Sequence, residues 1–379
     1  MKSLGRLVLL GLVASTATSL ETPSTEDKIR GAFFGALVAD ALCLGSHYEY
    51  DAVKIKQAYR GKPLTKYMAP GEQMGGHTHG VGWGARNYHP RTSAGDQTDY
   101  GEYNVLILEH LAKHPASFEA QDFLPLWKRR IMGGEWKQWI CTQTKLALQQ
   151  LQSNVPVSRL GGNSNAMALR YSSIFASFHK EQDVVDVARK TMFTHREQTA
   201  LWGNEFFARV TFRIIHSNLT PRQAIEAVAK ESSPWLKNKI QQAFGKVDEA
   251  TDPEQALPQE EFVDDLALTS MARLWDVGKS EPIKVGKASP TEGTLPGSIY
   301  FILKYEDNLV GALQANAMVG GDNACRSIAI GMVLGAYYGA DAIPQNLKDG
   351  LNHWNYCETL LEKLPLLDGG SGEVNASEL

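Results

Sequence analysis

The chain reads Val319-Gly320-Gly321-Asp322-Asn323-Ala324-Cys325-Arg326 where a polar turn runs into the apolar stretch 327–336. An earlier turn has the same design. It reads Ser93-Ala94-Gly95-Asp96-Gln97-Thr98-Asp99-Tyr100-Gly101-Glu102 and runs into the apolar pattern 103–111. Each segment sets a short turn rich in side-chain oxygens at the start of a buried helix. Two such turns that face each other would form a cup of oxygen ligands at two helix starts.

Helix-period spacing of apolar residues dominates the rest of the chain. Such spacing predicts helices at residues 27–44, 102–113, 183–192, 197–216, 220–230, 260–274, 307–318 and 326–338. Strand signals are weak, because no run alternates β-branched with polar residues. We therefore predict an all-α protein with a single multi-helix domain at 27–345.

Polar segments interrupt the helical pattern at 71–101, 154–165 and 276–297. Long loops inside a domain are often functional, and the last of these three is predicted to be a surface excursion. Residues 346–379 are predicted to form a C-terminal extension. Its tail is rich in Gly, Ser and Glu, a composition typical of disorder.

Residues 1–19 have the features of a signal peptide. Lys2 and Arg6 precede the apolar stretch 7–14, and the small residues Ala17 and Ser19 suit cleavage after Ser19. This pattern predicts a secreted protein or one of the secretory pathway. The alternative is a cytoplasmic or organellar protein, in which these residues form a frayed tail or another organelle signal.

Composition excludes several classes of function. The net charge is −4 and no block of Lys and Arg occurs, so we expect no nucleic-acid partner. The longest apolar stretch, 328–340, is too short and Gly-rich to span a membrane. The four cysteines contain no C-x-x-C pair, which argues against a zinc knuckle and against a disulfide framework. A secreted chain would allow one disulfide, whose partners the sequence does not identify.

Both polar turns allow two interpretations. Asp99 and Glu102 have the spacing of a capping box, so that Thr98 and Asp99 would cap the helix that follows. Asp322 or Asn323 would cap the second helix in the same way. In the other interpretation these oxygens are ligands of a hard divalent cation such as Mg²⁺.

Five segments match, in order, the motifs of one family. They are residues 31–42 (GAFFGALVADAL) for its G-x-x-x-G-x-x-x-G-D-A-L start, 98–101 (TDYG) for its T-D-D-T, 163–170 (NSNAMALR) for its N-G-A-A-M-R loop, 194–195 (TH) for its T-H, and 320–325 (GGDNAC) for its G-G-D-T-D-T. The chain thus resembles the ADP-ribosylglycohydrolase family, in particular the branch that contains the J-type crystallins. The resemblance spans about residues 29–342, and it is the order of the five motifs that makes it specific.

This resemblance implies an orthogonal all-α domain that binds an ADP-ribose-type small molecule. It also implies a pair of Mg²⁺ ions that hold the ribose hydroxyls, and hydrolysis of an N- or O-glycosidic bond at the anomeric carbon. Carried over residue by residue, it assigns catalytic roles to Asp99 and Asp322. The implied metal ligands are Thr98, Asp99 and Asp322, and the implied substrate-binding residues are Asp40, Asn163, Asn165 and Arg326.

The departures from the family pattern fall on the metal site. Tyr100 and Ala324 stand where the family has its other two aspartates, and Gly101 and Cys325 stand where it has threonines. Two carboxylates balance only half the charge of two Mg²⁺ ions, and a thiolate suits softer metals. We therefore predict one Mg²⁺ ion or none, with Glu102 or Asp96 as nearby substitutes.

Several other residues remain open between a site role and a structural one. Arg326 opposes the dipole of its helix, so it would meet a ligand phosphate or carboxylate, or pair with Asp322 or Asp99 in place of the metal. Asp40, inside an apolar helix, either faces the cleft or is a hydrogen-bonded structural group. The weaker candidates are His47, Tyr48, Glu49 and Asp51 as a cleft rim or an ordinary polar loop, His77 and His79 as a metal pair, and His195 as a site or structural histidine.

Two functional hypotheses follow. In the first, the protein is a divergent hydrolase that cleaves a glycosidic bond of an ADP-ribose-type conjugate. The retention of Asp99, Asp322 and the loop 163–165 favours it. In the second, it is a catalytically inactive ligand-binding or crystallin-like structural protein. The loss of the family residues at Tyr100, Gly101 and the 324–325 pair favours this alternative.

Overall fold

The structure, a computed structural model, describes residues 22–62, 64–80, 84–252, 262–272 and 285–368. Helices account for most of these residues. The helices are α1 (Thr25–Cys43), α2 (Ala52–Ala58), α3 (Asp99–Leu111), α4 (Ala120–Met132), α5 (Thr142–Gln152), α6 (Glu181–Thr191), α7 (Gln198–Ser217), α8 (Pro221–Glu231), α9 (Pro234–Thr251), α10 (Val263–Met271), α11 (Thr291–Lys304), α12 (Leu309–Val319), α13 (Asn323–Tyr338), α14 (Gln345–Gly350) and α15 (Trp354–Leu361). Two short antiparallel strands, β1 (Thr78–Gly80) and β2 (Gly84–Arg86), form a hairpin. The predicted all-α class is confirmed.

The centre of the fold is the close contact between α1 and α13. A Cβ atom at Gly31 would lie 2.1 Å from the carbonyl oxygen of Gly335, and one at Gly331 would lie 2.1 Å from that of Gly35. Glycine is therefore required at this crossing, because any side chain would push the two backbones apart. Since Gly31 meets Gly335 and Gly35 meets Gly331, the helices run antiparallel. The C-terminal half of α1 consequently lies beside the start of α13.

The start of α3 is held against the same half of α1. The Thr98 amide donates a hydrogen bond to Asp40 Oδ2 at 2.7 Å, and the Thr98 hydroxyl donates to Asp40 Oδ1 at 2.6 Å. A Cβ on Gly101 would lie 2.4 Å from Asp40 Oδ2. The approach thus explains why glycine occupies a helical position at 101. Both polar turns therefore begin their helices next to α1.

The predicted loop at 276–297 is wrong for its second half. Helix α11 starts at Thr291, and residues 291–297 are buried. Pro296 and two glycines gave this stretch the composition of a loop, but its packing in the core stabilises the helix despite low propensity. Residues 273–284 lie outside the described residues.

Residues 345–368 pack on the same core as the rest of the domain. Trp354 stacks on Phe34 of α1 with ring centroids 3.8 Å apart, and Leu347, Cys357 and Leu361 are buried. The domain boundary predicted at residue 345 therefore divides a continuous core. The predicted signal peptide at 1–19 and the tail after 368 lie outside the described residues.

Two further expectations concern the whole chain. All four cysteines, at 43, 141, 325 and 357, carry free thiols. The disulfide that a secreted chain would allow is therefore absent between them. Among the described helices, none combines the length and the apolar character that a membrane span needs.

Candidate functional site

The first polar turn is capped by Thr98. Its hydroxyl oxygen accepts a hydrogen bond from the Tyr100 amide at 3.2 Å, so Thr98 is the N-cap and Asp99 is the first helical residue. The cap predicted at Thr98 is therefore confirmed, whereas the capping box of Asp99 with Glu102 is wrong, because Asp99 is already inside the helix. The Thr98 hydroxyl thus accepts a hydrogen bond as the cap of α3 and donates one to Asp40.

Asp40 is fully buried, and both of its oxygens are bonded to Thr98. Burial raises the pKa of Asp40 to about 7, although the hydrogen bonds from Thr98 oppose this change. These contacts make Asp40 the group that fixes the start of α3 on α1. A ligand would reach its oxygens only by displacing Thr98.

Two acids of the first turn each keep one buried oxygen without a hydrogen-bond partner among the described residues, Asp99 at Oδ1 and Glu102 at Oε2. Glu102 forms an ion pair with Arg130 through its other oxygen, whereas the buried Asp99 has no ion pair among the described residues. Burial raises the pKa of Asp99 well above its usual value, and the negative charges of Asp322 and Asp40 raise it further, against the opposing charge of Arg170. Asp99 is thus a neutral-leaning carboxyl group with a spare oxygen.

The second turn is capped by Asp322, whose Oδ1 accepts a hydrogen bond from the Cys325 amide at 3.3 Å. Oδ1 also lies 3.2 Å from His47 Nε2, and the Tyr100 hydroxyl donates to Oδ2 at 2.9 Å. Burial alone raises the pKa of Asp322. The hydrogen bond from His47, the attraction of the charge that His47 carries when protonated, and then the hydrogen bonds from Ser289 and Tyr100 outweigh that effect, so the pKa lies below its usual value. Asp322 is therefore an ionised carboxylate whose acceptor sites are filled.

Behind Asp322 lie two buried histidines. His47 Nδ1 is 2.8 Å from His89 Nε2, and the Trp139 amide donates to His89 Nδ1 at 3.2 Å. Burial, and then His47, lowers the pKa of His89 well below its usual value. One nitrogen of each ring and one oxygen of Asp99 lie within 4.8 Å of one another. The sequence treated His47 only as a rim candidate and missed His89, because the two residues are 42 positions apart in different loops.

The loop 163–165 is anchored on α11. The Asn165 amide donates to Glu292 Oε2 at 2.7 Å, and its carbonyl accepts from the Thr291 amide at 2.9 Å. Asn163 is exposed. Thus Asn165 is fixed in position by two contacts, whereas Asn163 points to solvent.

Arg170 is a site residue that the sequence did not single out. Its guanidinium lies 3.8 Å over the Tyr103 ring and donates to the Thr194 hydroxyl at 2.7 Å. Thr194 also contacts His195 Nδ1 at 2.8 Å, and burial, with Arg170, lowers the pKa of His195 to about 3. His195 thus has the contacts of a neutral structural histidine. The charge of Arg170 also acts on Asp99, whose pKa it lowers against the larger effect of burial.

Arg326 is completely buried. Its Nε donates to Asn316 Oδ1 at 2.8 Å and its Nη2 donates to the Gly320 carbonyl at 2.6 Å. Among the contacts of the described residues, none pairs its guanidinium directly with either turn aspartate. The predicted direct pairing with Asp322 or Asp99 is therefore not formed, and Arg326 instead holds the backbone of the second turn.

The donor set does not fit a pair of Mg²⁺ ions. Of the three predicted ligands, Thr98 and Asp322 have their oxygens engaged, and only Asp99 has a free one. Cys325 donates its thiol proton to the Met167 carbonyl at 3.0 Å, and burial raises the pKa of that thiol. A hard cation needs several oxygen ligands. The three predicted ligands therefore do not supply the oxygens that a pair of Mg²⁺ ions needs.

The sequence profile of the ADP-ribosylglycohydrolase family matches residues 21–373. The chain belongs to the ADP-ribosylglycohydrolase family. This family is of the hydrolase type and generally uses divalent metals. The family predicted from the five motifs is thus confirmed, and one of the motif positions that differ, Tyr100, donates its hydroxyl to Asp322 of the second turn.

Two relatives agree with this assignment. Crystallin J1A of Tripedalia cystophora is 21% identical over 345 residues, which cover 86% of this chain and 92% of the crystallin. A solved structure described as an ADP-ribosylglycohydrolase-related protein complex superposes with a TM-score of 0.57 at 17% identity. The match covers 91% of this chain and 99% of that one. At that identity the likeness concerns the fold.

Proposed function

We propose that this member of the family is a divergent hydrolase that cleaves a glycosidic bond of an ADP-ribose-type conjugate without a pair of Mg²⁺ ions. The observation that carries the proposal is the buried carboxyl group of Asp99 with its unpartnered oxygen. Leaving a buried polar group unpaired costs about 1–3 kcal/mol. A protein that serves only as bulk structure gains nothing in return for that cost, whereas a hydrolase gains a proton donor.

The two turn aspartates have environments that separate their roles. Asp99 has a raised pKa and Asp322 a lowered one, which is the usual arrangement of an acid beside a charged carboxylate in glycoside hydrolysis. Asp99 would supply the proton, and Asp322 would remain ionised. The negative charge of Asp322 then stabilises the positive charge that develops at the anomeric carbon.

The reaction balances with these groups and water. Asp99 gives its proton to the leaving nitrogen or oxygen as the bond from that atom to the anomeric carbon breaks. Water then adds to the anomeric carbon, and its proton passes to the Asp99 carboxylate. The products are the free sugar hydroxyl and the protonated leaving group, and Asp99 returns to its starting state. The fixed Asn165 and the exposed Asn163 would bind hydroxyls of the sugar.

The test is release of ADP-ribose from N-linked and O-linked peptide conjugates, measured with excess EDTA and with added Mg²⁺. The expected result is hydrolysis that persists in EDTA and falls by at least about 100-fold in Asp99→Asn, as for loss of a general acid. Asp183→Asn, at an exposed acid in the first turn of α6, is the matched control and should keep full activity. Hydrolysis that requires Mg²⁺ would contradict the metal-free form of the proposal.

A second candidate is an inactive ligand-binding or structural protein. It is favoured by the Tyr100 hydroxyl and His47, which fill the acceptor sites of Asp322. Thermal melts separate the candidates, since a ligand that binds only the folded state raises the melting temperature. If ADP-ribose raises the melting temperature but no conjugate is hydrolysed, the protein is a binding protein. If no conjugate is hydrolysed and ADP-ribose leaves the melting temperature unchanged, the protein is structural.

A further inference from the structure

The hydrogen bonds that link His89, His47 and Asp322 all donate in the same direction, toward Asp322. A backbone amide can only donate, so the Trp139 amide requires His89 Nδ1 to be an acceptor without a proton. Neutral His89 then carries its proton on Nε2 and donates it to His47 Nδ1. His47 in turn carries its proton on Nε2 and donates it to Asp322 Oδ1. One backbone amide therefore sets the proton position on both rings.

We propose that His89, His47 and Asp322 form a metal-free relay in which both histidines carry their proton on Nε2 and hold Asp322 as a fixed anion. The relay takes the place that a cation would have at the second turn. Its members are completely or almost completely buried, so water does not compete for the three contacts. The two histidines are positioning residues, because they act on the site through Asp322.

The ring planes are fixed by stacking as well as by hydrogen bonds. The His47 ring stacks on Tyr48 with centroids 3.9 Å apart and planes 20° apart, and on His89 with centroids 5.0 Å and planes 22° apart. Tyr48 has a φ of 66°, a left-handed conformation that is unusual for a tyrosine. Its amide donates to the Gly321 carbonyl at 2.8 Å, which ties the residue to the second turn. The strained residue thus supports the histidine ring at the turn.

The same histidines could be read as ligands of a transition metal together with Asp99, because one atom of each lies within a 4.8 Å group. The Trp139 amide argues against that arrangement. A metal on His89 Nε2 would leave the proton on Nδ1, where it would face the Trp139 N–H across 3.2 Å. Two donors would then oppose each other in a buried place. The relay satisfies each of these contacts, and the metal does not.

Amide side chains separate the two ends of each ring. Glutamine places its amide near the Nε2 position, and asparagine places its amide near the Nδ1 position. His47→Gln therefore keeps a donor toward Asp322, whereas His47→Asn loses it. His89→Gln keeps a donor toward His47, while His89→Asn keeps an acceptor for the Trp139 amide and loses the donor. Each residue thus has a conservative and a disruptive variant of similar polarity.

The first measurement is nuclear magnetic resonance of the full chain labelled with ¹⁵N-histidine, with His47→Gln and His89→Gln used to assign the signals. We expect both rings to be neutral with the proton on Nε2, and unchanged by Mg²⁺, Zn²⁺ or Co²⁺ at equimolar concentration. A proton on Nδ1 of either ring would overturn the relay. The relay would also be overturned if the chain bound one equivalent of Co²⁺ or Zn²⁺ and this binding were lost in both variants. This measurement does not need activity, so it holds or fails independently of the proposed hydrolysis.

The second measurement rests on the proposed function. His47→Asn should lower kcat by about tenfold or more with an unchanged KM, as for other residues that orient a site carboxylate, and His47→Gln should lower it much less. Equal losses in the two variants would mean that His47 only fills space, and would overturn the positioning role. Thermal melts of each variant show whether it is folded before its rate is compared.

Discussion

The two polar turns look alike in sequence and differ in how much of their hydrogen-bonding capacity is left over. At the start of α3, Asp99 keeps an oxygen without a partner. At the start of α13, Asp322 accepts from an amide, an imidazole and a phenol. The phenol belongs to Tyr100, which is itself part of the first turn. The tyrosine that stands at a family aspartate position in the first turn therefore fills an acceptor site of Asp322 in the second turn. A side chain that removes one metal ligand can thus hydrogen-bond another.

Asp322→Ala should produce the largest effect on this pair of turns. It removes the cap of α13 and leaves the His47 and Tyr100 donors buried without an acceptor. We expect a loss of about 3–5 kcal/mol in the free energy of unfolding, as for other broken buried pairs. Urea denaturation measures it, with Asp183→Ala as the control. A loss as small as that of the control would mean that the second turn is not closed by Asp322.

Gly101→Ala tests how tightly the first turn is packed on α1. The new Cβ would lie 2.4 Å from Asp40 Oδ2 and 2.1 Å from Gln97 Oε1, so we expect a loss of about 1–3 kcal/mol from overpacking. Gly245→Ala is the matched control. Its Cβ would meet nothing within 4 Å in α9, so it should gain about 0.5–1 kcal/mol in the same urea experiment. A gain in both variants would show that the first turn can move away from Asp40.

Tyr100→Phe removes the hydroxyl that joins the first turn directly to Asp322 of the second. It leaves Asp322 Oδ2 without its phenol donor, and we expect a loss of about 1–2 kcal/mol in stability. The freed oxygen and the spare oxygen of Asp99 should then bind Mg²⁺, seen as a rise in melting temperature that the unmodified chain does not show. Tyr356→Phe, which loses a partly exposed contact to Glu109, is the control for removal of a hydroxyl. If Tyr100→Phe gains no response to Mg²⁺, the lost carboxylates were essential and the phenol was not the obstacle.

Asp99→Asn should have the smallest effect on stability and the opposite sign. The folded-state pKa of Asp99 is raised above the usual 3.8, so its contribution to stability is complete below pH 3.8 and is lost as the pH rises through the folded-state value. The neutral asparagine lacks the charge that burial penalises, so the variant should be more stable than the unmodified chain at pH 8. Thermal melts between pH 4 and pH 8 measure the difference, which should shrink toward pH 4. A variant that is less stable at pH 8 would show that the Asp99 carboxylate is ionised and paired in the folded protein.

The sequence predicts the helices whose signals lie within a few neighbouring residues. It does not predict the helix and the contacts that depend on residues far apart in the chain. Helices α1, α3, α7 and α13 follow from apolar spacing and from polar turns, because both signals lie within a few residues. Helix α11 was missed, because its glycines and Pro296 have loop composition and only the surrounding core stabilises it. The pairing of His47 with His89 has no local signal at all.

The same division applies inside the site. Asp99 and Asp322 were predicted as site residues from the motifs, since a helix start after a polar turn is a local feature. Their difference in chemistry arises from the packing of α3 and α13 on α1, which brings Tyr100 to Asp322. The partner of Arg326 was predicted to be a ligand phosphate or carboxylate, or one of the turn aspartates. The structure instead gives it the Asn316 side chain and the backbone carbonyls of Gly320 and Lys287, contacts that have no local signal in the sequence.

The glycine crossing of α1 and α13 has a genetic consequence. Gly31 lies nine residues before Asp40 along α1, about 13 Å at the helical rise of 1.5 Å per residue, and it touches no group of the site. A methyl group there would still separate the two helices and, with them, the two turns they position. A random screen for inactive alleles should therefore recover changes at Gly31, Gly35, Gly331 and Gly335 as often as changes at the aspartates. Such alleles would be recessive, because they prevent folding rather than the chemical step. Selection would remove them just as strongly if the protein were not an enzyme.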